Sequence, residues 1–253
     1  MLGSGSSGNC TLVEGRRGRL LIDCGLSARE TAKRLEQVGC DPRSIDAALV
    51  SHEHADHAGG AVQVSRKLGV PVFTTRATAR AANLDAAGMA GLVPAEPGWE
   101  YSVGDLKVTP FTVPHDAADN VGFVIECDGT RLGYATDLGH ATTLVMERLS
   151  ECDVLVAEAN HDTTMLRTGP YPWSLKQRIL SRHGHLSNDE MSALVSTAAT
   201  TRTRHLFLAH MSATNNTPAL ALDACRRGLE RAGRGGVRVH VTHQRRVSEV
   251  VET

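Results

Sequence analysis

Short apolar runs alternate along the chain with longer stretches of helical period. Residues 19–23 (RLLID) and 47–51 (AALVS) are brief, apolar and bounded by turn or polar residues, the pattern of buried strands. Residues 27–38 between them read as a helix. Ser27 stands at the N-cap with Glu30 three positions on, a capping-box spacing, and Gly39 closes it. Residues 57–68 form the next predicted helix, ended by Gly69. Further strands are predicted at 10–13, 72–74, 107–113, 121–127, 131–135, 154–157, 205–209 and 237–241. Further helices are predicted at 142–149, 175–183, 187–197 and 218–232. Asp128-Gly129 between two strand runs signals a hairpin, and Ser187 with Glu190 repeats the capping-box spacing. Many strands mixed with helices predict an α/β (α+β) fold of sheets covered by helices, not one parallel sheet.

Composition narrows the class. At 253 residues, with no linker, repeat or low-complexity segment, the chain is expected to form a single domain over 1–253. A net charge of -1 argues against a generally basic coat but leaves room for a local phosphate-binding patch. No run of 18 apolar residues marks a transmembrane helix, and the N-terminus lacks the pattern of a signal peptide. The expectation is therefore a cytoplasmic protein with no membrane partner. The six cysteines form no C-x-x-C pair and are expected to be reduced, mostly buried thiols.

The 12 histidines change the picture. Ser51-His52-Glu53-His54-Ala55-Asp56-His57 contains an H-x-H-x-D-H pattern directly after an apolar strand. Shuffling this composition produces only about 0.0015 such matches, so a solvated polar loop is a poor explanation. Alternate residues leaving a strand point the same way, so His52 and His54 can grip one cation together. Asp56 and His57 follow where the chain turns into a helix and can face a second. Imidazole and carboxylate suit Zn²⁺ or Mn²⁺. Other candidate ligands fall where apolar strands end: Asp23, His115, Asp137 and His210. His243 competes with His210 for the last position, and His210 is preferred because it directly ends an apolar strand.

These motifs, in this order, resemble the five motifs of the metallo-β-lactamase superfamily. The resemblance spans essentially the whole chain and implies a four-layer αβ/βα sandwich with two divalent metal ions at one edge. It implies that His52, His54 and His115 hold one metal and Asp56, His57 and His210 the other. Asp137 would bridge both, and Asp23 would support them from behind. Later segments resemble the bacterial YycJ/WalJ-type branch, related to RNase Z and to phosphodiesterase-type members. They are Glu158-Ala159-Asn160-His161-Asp162, Gly169-Pro170-Tyr171-Pro172, Gly184-His185-Leu186-Ser187-Asn188 and Leu208-Ala209-His210-Met211-Ser212 with Asn215-Asn216, besides the opening Gly5-Ser6-Ser7-Gly8-Asn9.

That resemblance implies a phosphodiester hydrolase, a 5′-to-3′ DNA exonuclease using metal-activated hydroxide. His185 would bind phosphate or act as general acid, oriented by Glu158, while Asp56 orients the nucleophile. Candidate substrate contacts are Ser7, Asn9, Arg178, Asn215 and Asn216. Residues 163–188 support a nucleic-acid strand: they hold no carboxylate but carry Arg167, Lys176, Arg178 and Arg182 beside Tyr171 and Trp173. The alternatives are a small-molecule (cyclic) phosphodiesterase, an RNA-directed nuclease, or a non-catalytic metal-binding protein, the last opposed by the complete ligand set. No long insertion is present. A nucleic-acid groove must therefore come from the core domain, its loops and a second subunit if a homodimer forms.

Overall fold

Strand β2 (Arg19–Ile22) pairs on one side with β1 (Thr11–Glu14), antiparallel, and on the other with β3 (Ala47–Leu49). Parallel strands β4 (Val72–Thr74) and β5 (Leu92–Pro94) complete a five-stranded sheet in the computed structural model, which describes residues 1–84 and 88–253. A second, seven-stranded sheet begins as an antiparallel meander of β6 (Tyr101–Val103), β7 (Leu106–Thr112), β8 (Val121–Cys127) and β9 (Thr130–Ala135). It continues in parallel through β10 (Val154–Glu158), β11 (His205–Ala209) and β12 (Arg238–Val241). The expected hairpin joins β8 to β9, with Asp128 and Gly129 both at positive φ, as a tight primed turn requires.

Side-chain alternation divides the buried residues into three layers of contact. Leu20, Ile22 and Leu49 meet Val108, Phe123, Tyr134 and Phe207 between the sheets. Leu21 and Ala48 face the other way, into a cluster with Leu35 of α1 (Ala28–Gln37) and Val64 of α3 (Ala61–Leu68). Val124, Leu155 and Leu206 lie under α5 (Thr143–Leu149), α8 (Asn188–Ala198) and α9 (Pro218–Arg231). The result is a helix–sheet–sheet–helix sandwich. Strands covered on both faces read as continuous apolar runs, which is why β3, β10 and β11 stood out in the sequence.

Four differences from the expected elements have local causes. The helix expected over 57–68 is two: α2 (Ala55–Ala58) and α3, broken at Gly59-Gly60, where the Gly60 amide turns aside to donate to Cys24 O. The helix expected at 175–183 is α7 (Trp173–Ile179), which begins after Pro172. Helices α4 (Arg76–Ala81) and α6 (Thr163–Thr168) were not expected, each being six residues long, too short to display a helical period. Strands β5 and β6, three residues each, are likewise additions to the expected elements. All six cysteines are free and five are buried. No helix among the described residues is long and apolar enough to cross a membrane.

Candidate active site

Strands β7, β9, β10 and β11 run in one direction, so their carboxyl ends share one edge of the larger sheet. His115, Asp137, Glu158 and His210 stand at or just past those ends, as Asp23 and Ser51-His52 do for β2 and β3. Open sheets place ligands at this edge because the chain must turn there, which frees side chains to converge. Three of these residues turn with left-handed backbone: Asp23 (φ 63), Asp137 (φ 54) and His210 (φ 54). Such conformations are strained for residues other than glycine, and they concentrate where the geometry of a side chain matters.

The ring nitrogens are oriented by partners behind them. Asp23, fully buried, accepts from Ser51 N and Ser51 Oγ through Oδ1 and holds His57 Nδ1 through Oδ2 at 2.8 Å. His52 Nδ1 meets Ser51 Oγ at 3.0 Å, and His115 Nδ1 donates to Gly184 O at 3.0 Å. Each arrangement directs Nε2 to the centre, and the Nε2 atoms of His52 and His115 are buried with no hydrogen-bond partner. The ligand atoms of His52, His54 and His115 lie within 4.8 Å of one another, and so do those of Asp56, His57 and His210. A third such group, His52, His57 and Asp137, joins the two. Two oriented triads sharing a carboxylate between them fit a pair of divalent cations.

Charge in the cluster points the same way. Burial pushes His52 well below the usual imidazole range, with His57 adding to the effect, so it is the neutral form that a cation needs. Burial also opposes charge on His57 and His210, but the surrounding carboxylates outweigh it. Asp137 and Asp23 hold His57 well above its ordinary value, and Asp137, Asp56 and Glu158 push His210 up to about 10. Asp56 and Asp137 are held well below the carboxylate range by these imidazoles, against their own burial. Convergent buried carboxylates thus require positive charge, from protons or from cations that displace them.

Glu158 is fully buried and lies between two imidazoles, 2.8 Å from His185 Nδ1 and 3.0 Å from His210 Nδ1. Its other oxygen accepts from Leu138 N and Leu186 N. Burial pushes its carboxyl up, but His185 and His210 pull it down to about 2, so it remains an anion. His185 in turn is raised against its burial, chiefly by Glu158. It lines a cleft of about 250 Å³ together with His54, Asp56, Asp137 and His210.

The expected substrate contacts fare differently. Arg178 lines the cleft, paired with Asp116. Asn9 does not face the cleft opening: it is fully buried, its amide donating to Asp56 O at 3.2 Å and standing 2.9 Å from His57 Nε2. Asn215 and Asn216 are buried too: Asn216 is engaged by Asn188 and Ala159 O, whereas neither polar atom of the Asn215 side chain has a hydrogen-bond partner. Ser7 is exposed with its amide held by Gln244, while its neighbour Ser6 lines the cleft. Within the basic segment, Lys176 turns inward and donates to Arg167 O and Gly169 O, which removes it from any phosphate path. Trp173 remains 63% exposed. His243 pairs with Arg246 and belongs to none of the ligand groups. Asp116, Ser212 and Asn160 also line the cleft and were not singled out, although Asp116 directly follows a candidate ligand.

A family model described as a β-lactamase superfamily domain matches residues 18–211. The exodeoxyribonuclease YycJ of Bacillus anthracis is 34% identical over 241 residues, covering 93% of this chain and 90% of its own. The chain belongs to the metallo-β-lactamase superfamily. It is a metal-dependent hydrolase of the YycJ/WalJ branch. The exodeoxyribonuclease WalJ of Streptococcus pneumoniae is also 34% identical, over 87% of this chain and 84% of its own. Among solved structures, the metallo-β-lactamase fold protein YhfI from Bacillus subtilis superposes with a TM-score of 0.73 at 14% identity, over 96% of this chain and 94% of its own. That likeness speaks to the metallo-β-lactamase fold alone.

Proposed function

We propose that the protein hydrolyses phosphodiester bonds in DNA, as an exonuclease working from a 5′ end with two divalent cations, Zn²⁺ or Mn²⁺. His52, His54 and His115 would hold one cation and Asp56, His57 and His210 the other, with Asp137 between them. Cations bound there would lower the pKa of a shared water and stabilise charge on the phosphoryl oxygens. The observation that carries the reading is the His185–Glu158 pair. Glu158 engages His185 Nδ1 at 2.8 Å, which leaves Nε2 for the cleft. A phosphodiester departs as an alkoxide, and a charged imidazole aimed at it can donate a proton or stabilise the phosphate. Asp56, partly exposed beside His210 Nε2 at 3.2 Å, can also accept a hydrogen bond from the attacking water. Arg178 supplies the cleft with a guanidinium for a neighbouring phosphate. The names of the two 34% identical relatives support DNA as the substrate.

The test uses metal-stripped protein refilled with Mn²⁺ or Zn²⁺ and given duplex DNA labelled at either the 5′ or the 3′ end. Early release of labelled mononucleotide from the 5′ label alone, absent in His54→Ala, is expected. Hydrolysis of a nitrophenyl phosphodiester with DNA left intact would replace this reading with a small-molecule phosphodiesterase.

A further inference from the structure

Residues 4–9 touch the site from a direction that the ligand motifs do not reach. Ser4 Oγ accepts from His210 N at 2.8 Å. Asn9 donates from its backbone to Asp56 O at 2.7 Å, and its side-chain amide reaches the same oxygen. Between these two anchors, Ser6 borders the cleft. Within the loop, Gly8 N and Asn9 Nδ2 donate to Gly5 O and Asn9 Oδ1 accepts from Gly5 N, above the Gly3–Cys10 bridge at its base, so that Ser6 and Ser7 have no partner inside the loop. Gly5 (φ 136) and Gly8 (φ 145) adopt backbone that favours glycine, so the tip between them is conformationally permissive and an external contact there can fix it.

Such a contact comes from far along the chain. Gln244 Oε1 accepts from Ser7 N at 2.8 Å, and Gln244 Nε2 donates to Gly8 O at 2.8 Å. One side-chain amide thus satisfies both a donor and an acceptor of the loop, as a neighbouring strand would. Gln244 is itself fixed. Its carbonyl accepts from the guanidinium of buried Arg34, which also donates to Leu2 O, and the adjacent His243 carbonyl accepts from Ser4 N. A Cβ on Gly5 would stand 2.7 Å from Gln244 Oε1, so the two segments are in close contact.

We propose that Gln244 is a positioning residue for hydrolysis: its side-chain amide holds residues 5–8 so that Ser6 faces the bound substrate beside Asp56 and His210. The proposal rests on the phosphodiesterase reading of the same cleft. Gln244 lies outside residues 18–211, so the family match does not contain it.

The experiment compares wild type with Gln244→Met, which keeps the length of the side chain and removes both hydrogen bonds, and with Gln244→Ala as a second variant. All are read as metal-loaded proteins on end-labelled DNA and on bis(nitrophenyl) phosphate, with hydrogen exchange of residues 5–8 followed in parallel. The expected result is a KM raised roughly tenfold, as loss of the loop's two hydrogen bonds implies. It should come with a smaller fall in kcat, unchanged metal content and faster exchange at 5–8. Wild-type KM in Gln244→Met overturns the proposal, even if exchange rises. So does a loss of metal or of fold in both variants, which would make Gln244 merely structural. If wild type hydrolyses only the small diester, the nuclease reading falls, and KM on that diester still decides the role of Gln244.

Discussion

His185 and His210 sit on the same carboxylate, and at the residue scale their different surroundings divide the work. His210 is buried, with Asp56 at its Nε2, the placement of a candidate ligand. His185 is one-fifth exposed and has the cleft before it. His185→Ala is therefore expected to lower kcat by roughly 10²–10⁴ while both cations stay bound. Metal analysis beside single-turnover rates checks this, and loss of a cation would make His185 a ligand instead. Glu158→Gln keeps the shape but removes the charge that favours imidazolium in His185. It should reproduce most of the kinetic defect, read in the same assay.

Elements matter here through how closely they approach. Strand β2 is followed by the turn Asp23-Cys24-Gly25, and α2 brings Asp56 against it. A Cβ on Gly25 would lie 1.7 Å from Asp56 O and 2.7 Å from Asn9 N, both backbone atoms that cannot swing aside. Gly25→Ala should thus push α2 away from β2 and displace Asp56 and His57 together. The expected cost exceeds about 2 kcal/mol, or roughly 5 °C or more in Tm, with loss of bound metal. Calorimetry and metal content measure both. A variant of wild-type Tm carrying two cations would mean that the turn yields more readily than its packing indicates. The inward Lys176 is a related case: by donating to Arg167 O in the last turn of α6 and to Gly169 O just past it, it ties α6 to α7, and so sets where Tyr171 and Arg178 stand at the cleft.

Across the whole molecule, buried imidazoles of lowered pKa occur in the site, as at His52, and also far from it. At the amino end of β11, opposite the ligand edge, His205 Nδ1 meets His240 Nε2 at 3.0 Å, and His240 Nδ1 lies 3.2 Å from Glu249. The His240 ring also stacks on Phe207. Burial, with the second imidazole adding to it, lowers the His205 pKa, and burial lowers that of His240 despite Glu249. The unfolded chain takes up these protons near pH 6.5, before the folded one does. The stability they carry is accordingly complete above that pH and is lost as pH falls below it. Urea midpoints of metal-free protein at pH 7.5 and 5.5 should drop less for His240→Phe than for wild type. An equal drop would assign the acid sensitivity to other groups.

Much of this molecule is legible in one dimension because its chemistry is local there. Strands buried on both faces show as apolar runs, caps show at fixed spacing, and the run from His52 to His57 places four candidate ligands within six residues. His115, Asp137 and His210 could be picked out because each follows a strand, although nothing in the sequence measures a distance between them. Convergence required the two sheets to align their carboxyl ends and three residues to accept left-handed backbone. The same long-range packing turned Lys176 inward, buried Asn9, Asn215 and Asn216, and brought Gln244 to the loop that contains Ser6. Side-chain type and spacing name the groups able to bind or react. Which of them face the cleft depends on contacts such as that between Ser7 and Gln244, 237 positions apart, which only the packing of the folded chain supplies.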